Sequence, residues 1–71
     1  MSESSFKMIK LAGESPDGIE GAIKAALETS GETVRGHSWV QVVDIRANLN
    51  EDASVDRWQV IVEVAFKVER Q

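Results

Sequence analysis

The chain has 71 residues, no cysteine and a formal net charge of −4, which bounds it to one domain and removes disulfides and thiolate metal sites. A domain this short hides only about 60% of the surface its unfolded chain exposes, so self-association is the support left to it. Eight basic residues lie scattered among twelve acidic ones, and no apolar run approaches the roughly 20 residues of a membrane span, so neither nucleic acid nor a membrane is an expected partner.

The opening MSESSFK lacks a basic region followed by an apolar stretch, so it does not read as a signal peptide, and a cytoplasmic protein is expected. FKMIKLAG predicts a first strand over about residues 5–12, ended by Gly13. Phe6 and Met8 fall on one of its faces, Ile9 and Leu11 on the other, which suggests cover on both sides.

ESPDG announces a helix over about residues 16–34, with Ser15 as N-cap, Pro16 in the first helical position and Asp17 at the positive end of the dipole. Ile19, Ala22, Ile23, Ala26, Leu27, Ser30 and Val34 follow the i, i+3, i+4, i+7 pattern of one buried face. Gly36 is the expected stop. Gly21 and Gly31 each cost about 1 kcal/mol relative to alanine inside a helix, which is tolerable where something packs closely.

A second strand is expected over about residues 37–49 and a third over about 55–69, joined by the hairpin-length loop NEDAS. In the third strand Trp58, Val60, Val62, Val64, Phe66 and Val68 point one way. Arg57, Gln59, Glu63, Lys67 and Glu69 point the other, with Ile61 and Ala65. In SWVQVVDIR, strict alternation puts Trp39 and Gln41 on one side with Val43 and Ile45, and Asp44 on the side of Val40 and Val42. The order is β-α-β-β, an α+β fold in which one domain (residues 1–71) lays a single helix on a three-stranded antiparallel sheet. Strands of this length exceed the usual five or six residues, so they overhang the helix and offer surface to other subunits.

Catalytic machinery is nearly absent. There is no Cys–His pair, phosphate loop or nucleophile elbow, and His37 reads as a turn residue rather than an acid, base or metal ligand. Asp44 and Glu63 read as solvated or interface charges in preference to a catalytic pair. Trp58 reads as a core or interface tryptophan. Trp39 is either an intersubunit anchor or a stacking platform for a flat ligand, and pattern alone favours the anchor. Gln59, in an otherwise apolar stretch, marks a polar interface contact or the edge of a ring-shaped ligand.

FKMIKLAGESPDGIEGAIKAAL, ETVRGHSWVQVVDIR and RWQVIVEVAFKVE together resemble the dodecins, and the likeness covers nearly the whole chain. The resemblance implies a sheet partly wrapped around the helix and twelve copies forming a hollow shell of trimers related by two-fold axes. It also implies a non-enzymatic role in storing or sequestering flavins such as FMN, riboflavin or lumichrome, stacked at the two-fold contacts. By resemblance Trp39 is the stacking residue and Gln59 binds the pyrimidine edge. Arg46 and Asp44 are pocket polars, and Lys67 stands where an arginine often contacts phosphate. The chain departs from the family's pattern at Gln41, at His37-Ser38, at Trp58 and at Lys67. The alternative is a self-assembling shell that takes another ligand, with Trp39 and Gln59 as interface residues only.

Overall fold

The computed structural model describes residues 3–30 and 37–68. Its elements are β1 (Phe6–Ser15), α1 (Ile19–Ser30), β2 (His37–Leu49) and β3 (Val55–Lys67). They form one antiparallel sheet in the order β1-β3-β2, with the longest alternating stretch in the centre. The expected helical residues 31–34, the stop at Gly36 and the strand residue Glu69 lie outside the described residues. His37 begins β2, opposite Phe66, rather than lying in a turn.

The first strand is longer than its sequence suggests, and the helix starts later. β1 continues through Gly13 to Ser15, which pairs with Trp58. Gly13 is therefore not a terminator. A Cβ there would collide with the carbonyl oxygen of Ala22 and approach Ala26 N to 2.6 Å. Glycine on the strand and two alanines on the helix let the backbones approach closely, and both alanines are fully buried. Ser15 is not the N-cap, because the first helical residue is Ile19 and Ala22 N–H donates to Gly18 O at 3.1 Å. The Ser15 hydroxyl instead accepts from Asp17 N–H at 3.0 Å and stabilises the turn ahead of the helix. Gly18 has φ +121, a region in which side chains are strained, so glycine suits the entry to α1. A Cβ on Gly21 would lie 2.7 Å from Ser15 Oγ, which gives the close packing that the glycine tolerates.

Residues directly opposite one another in antiparallel strands share a face of the sheet. Gly13, Leu11 and Ile9 face α1 with Val60, Val62 and Val64. These three valines join Phe66, Ala22 and Ala26 in the core, with Ile23, Leu27 and Val40 packed against it. Each fully buried valine contributes roughly 1.5–3 kcal/mol relative to exposure.

Much apolar surface is left over. The radius of gyration is 14.9 Å and the extents are 56 × 21 × 14 Å, against a radius of about 11 Å for a compact chain of this length. The cause is the mismatch of lengths: twelve helical residues span about 18 Å, thirteen strand residues about 43 Å. Ile45, Leu49 and Val55, toward the tip of the β2–β3 hairpin, are exposed.

The hairpin tip is closed by polar groups. Asn50 N–H donates to Ser54 O and Ala53 N–H to Asn50 O. The Asp52 carboxylate accepts from both the amide (2.9 Å) and the hydroxyl (2.6 Å) of Ser54. Those hydrogen bonds hold Asp52 below the ordinary aspartate pKa. Ala53 takes a left-handed φ of 71, an uncommon conformation for a residue with a side chain.

Candidate functional site

The sheet face opposite α1 carries every candidate site residue. Strict alternation would have put Asp44 and Arg46 on the helix side with Val40 and Val42. The register shifts by one residue between Val42 and Asp44, and Val43 is the extra residue of this β-bulge. Asp44 therefore lies opposite Ile61 and Arg46 opposite Gln59, while Ile45 turns to the helix side opposite Val60. The expectation that Val43 and Ile45 continue the Trp39 side is thus corrected. A bulge resets the period of two, so Trp39, Gln41, Asp44 and Arg46 share the face of Gln59, Ile61, Glu63, Ala65 and Lys67.

Two groups form on this face. At one end Trp39 on β2 lies opposite Ala65 of the central strand, and Phe6 on β1 lies opposite Lys67, the next residue of β3 on the same face. Their ring centroids lie 5.9 Å apart at an interplanar angle of 55°, within the tilted geometry that aromatic pairs prefer. Edge strands on either side of a central one lie about 10 Å apart, so the two rings lean toward each other across β3 to come this close. Ala65 is fully buried, whereas Trp39 remains 47% exposed and Phe6 41%. Lys67 pairs with Phe6 and belongs to this end.

At the other end the register aligns Glu14, Gln59 and Arg46 in one row across the three strands. Gln59 Nε2 donates to Glu14 Oε1 at 3.2 Å. Arg57 Nε lies 3.4 Å from the same oxygen, close enough for an ion pair but without hydrogen-bond alignment. Arg46 Nη2 donates to Asp44 Oδ2 at 3.1 Å, and Asp44 Oδ1 accepts from Ile45 N–H. Both ion pairs are substantially exposed, so each is worth at most about 1 kcal/mol and serves orientation more than stability. A cavity of about 460 Å³ is lined by Glu14, Arg46 and Gln59 but also by Val60 and by Ala25 and Thr29 of the helix, so it is not confined to the face opposite α1. Trp39, Asp44 and Lys67 do not line it.

The face thus unites Asp44, Arg46 and Gln59 and separates them from Trp39 and Lys67. Trp39 pairs with Ala65 and Arg46 with Gln59, six positions farther along β3, which is about 20 Å of strand. Phe6, Glu14 and Arg57 contact or adjoin the candidate residues, and the sequence reading does not single them out. Glu14 escapes a reading that ends β1 at Gly13; its place in the β1–β3 ladder is the missing signal. Glu63 lies opposite Gln41 and Lys10 rather than Asp44, so those carboxylates are not partners in register. Among the described residues, no helix is long and apolar enough to cross a membrane, and no cluster of His, Asp and Glu could hold a metal ion.

The sequence matches the family model described as Dodecin over residues 6–69. A dodecin from Thermus thermophilus is 41% identical over 64 residues, covering 90% of this chain and 91% of the relative. The crystal structure of an arginine-to-alanine variant of the T. thermophilus dodecin is 36% identical, with a TM-score of 0.83 over 97% of this chain and 100% of that one. The dodecin from Streptomyces coelicolor is 28% identical and also superposes with a TM-score of 0.83, each chain covered in full.

Proposed function

The chain belongs to the dodecin family, and we propose that it is a non-enzymatic, cytoplasmic flavin-binding protein that stores or sequesters FMN or a related flavin in a homododecamer. The observation that carries this reading is the half-exposed indole of Trp39 on the same face of the sheet as the amide of Gln59. These residues suit the ligand. A flavin brings a flat aromatic face and an uncharged imide edge. The indole provides a polarisable surface to stack on, and a glutamine amide both donates and accepts along such an edge.

The separation of the two residues adds a constraint. Some 20 Å of strand is more than a tricyclic ring spans, so one flavin meets Trp39 and Gln59 only when they come from different copies. That requirement agrees with the elongated subunit and its uncovered apolar surface. Within such a pocket Trp39 stacks, Gln59 reads the imide edge, and Arg46, held by Asp44, supplies fixed positive charge beside it. Lys67, opposite Phe6 at the tryptophan end, meets the phosphate tail in this reading.

A flavin-fluorescence titration tests the proposal. Emission of FMN and riboflavin is expected to fall on addition of the protein. Trp39→Ala is expected to weaken binding about 10- to 100-fold, the roughly 1–3 kcal/mol of one aromatic stacking contact. Unchanged emission with excess protein would contradict the proposal and leave Trp39 as an interface residue.

A further inference from the structure

We propose that Glu14 is a positioning residue that fixes the orientation of the Gln59 amide and so makes the pocket select rings with an N–H donor on the edge they present. The inference rests on the flavin reading above and deepens it.

An ionised carboxylate accepts hydrogen bonds and donates none. The amide atom 3.2 Å from Glu14 Oε1 is therefore the NH2 group of Gln59 and not its carbonyl oxygen. Glu14 is itself drawn to Arg57 on the same side of the sheet. On the opposite flank of Gln59 the register places Arg46, whose guanidinium is engaged by Asp44 Oδ2. Glu14 therefore sets the sense of the amide: NH2 toward β1, carbonyl oxygen away from it. Without Glu14, a glutamine amide turns end for end at little cost, because its two ends have nearly the same shape.

A fixed carbonyl acceptor has a chemical consequence. The imide edge of a flavin presents an N–H between two carbonyl oxygens, and the N–H is the group that needs an acceptor. Methylation of that nitrogen removes the donor and sets a methyl group against Gln59 Oε1, leaving the acceptor without a partner. An amide free to turn would present its NH2 to a neighbouring ring carbonyl and tolerate the methyl group.

The experiment compares binding of lumiflavin and 3-methyl-lumiflavin to the assembled protein and to Glu14→Gln, which keeps the shape of residue 14 but no longer demands a donor. The wild type is expected to prefer lumiflavin by about 10-fold or more, in line with one polar group left unsatisfied. In Glu14→Gln that preference is expected to shrink severalfold while Trp39-dependent quenching persists. Equal preference in the two proteins overturns the role of Glu14 and leaves flavin binding standing. If neither ligand binds the wild type, the flavin reading fails, and the orientation is judged without ligand from the Gln59 side-chain amide resonances. One amide proton shifted downfield in the wild type and lost in Glu14→Gln supports the positioning role; identical spectra overturn it.

Discussion

On the helix side of β3, Val60, Val62 and Val64 are at most 1% exposed, while on the other side Phe6, Met8 and Trp39 stand open beside a row of charges. One set of strands makes both faces, and their difference shows how this chain divides its work. At β3 the helix side is closed by contacts within the subunit and depends on close backbone approach, while Val42 and Ile45 on β2 of that same side remain exposed. The open side gathers its polar and aromatic groups through register, and much of its apolar surface finds no cover in the subunit.

Substitutions that break this contrast should act most strongly on the closed side. Gly13→Val sets a side chain against the backbone of α1 at Ala22 and Ala26. It should destabilise the fold by about 3 kcal/mol, the upper range for overpacking, seen as a lower urea midpoint. A loss below about 1 kcal/mol would mean that helix and strand are not held at this distance.

The bulge offers a sharper test. Deleting Val43 restores regular alternation without moving any residue to the wrong face, so the variant should keep its strand content by circular dichroism. Inserting one alanine after Val43 also restores alternation, but it moves Arg46 two positions out of register with Gln59, so it should lower the melting temperature more than the deletion does. Comparable melting temperatures for the two variants would contradict the assigned register.

Smaller effects are expected at the edges of the open face. Lys67→Ala should weaken FMN about threefold and leave riboflavin unchanged, because an exposed ion pair contributes below about 1 kcal/mol. At the hairpin tip, Ser54→Ala removes a hydrogen bond that depresses the Asp52 pKa. The Asp52 titration followed by NMR should therefore move up toward the ordinary aspartate value. A group depressed on folding contributes stability above its unfolded pKa and loses it as pH falls through the folded value. The wild-type tip should accordingly loosen only below about pH 4.

Much of the closed side was legible in the sequence. The helical spacing of Ala22, Ile23, Ala26 and Leu27 and the alternation through β3 each declare a face, and local periodicity follows from burial. The open side was legible in its residues but not in its arrangement. Trp39, Gln59, Arg46, Asp44 and Lys67 are named as candidates through the family resemblance, yet the faces of Asp44 and Arg46 depend on a bulge that pairing with β3 defines. Gly13 misled because a glycine that ends a strand and one that admits a helix look alike in one dimension. Reading it as an end hid Glu14, and the distance between Trp39 and Gln59 needed the register of two strands.

The central claim is that a flavin site takes Trp39 from one copy and Gln59 from another. Trp39→Ala and Gln59→Ala proteins, each deficient in flavin binding, can be unfolded together, refolded and titrated with FMN. Random co-assembly should restore about a quarter of the sites, those that draw the intact tryptophan and the intact glutamine from different subunits. No recovery in hybrids shown to contain both chains would contradict a site shared between copies.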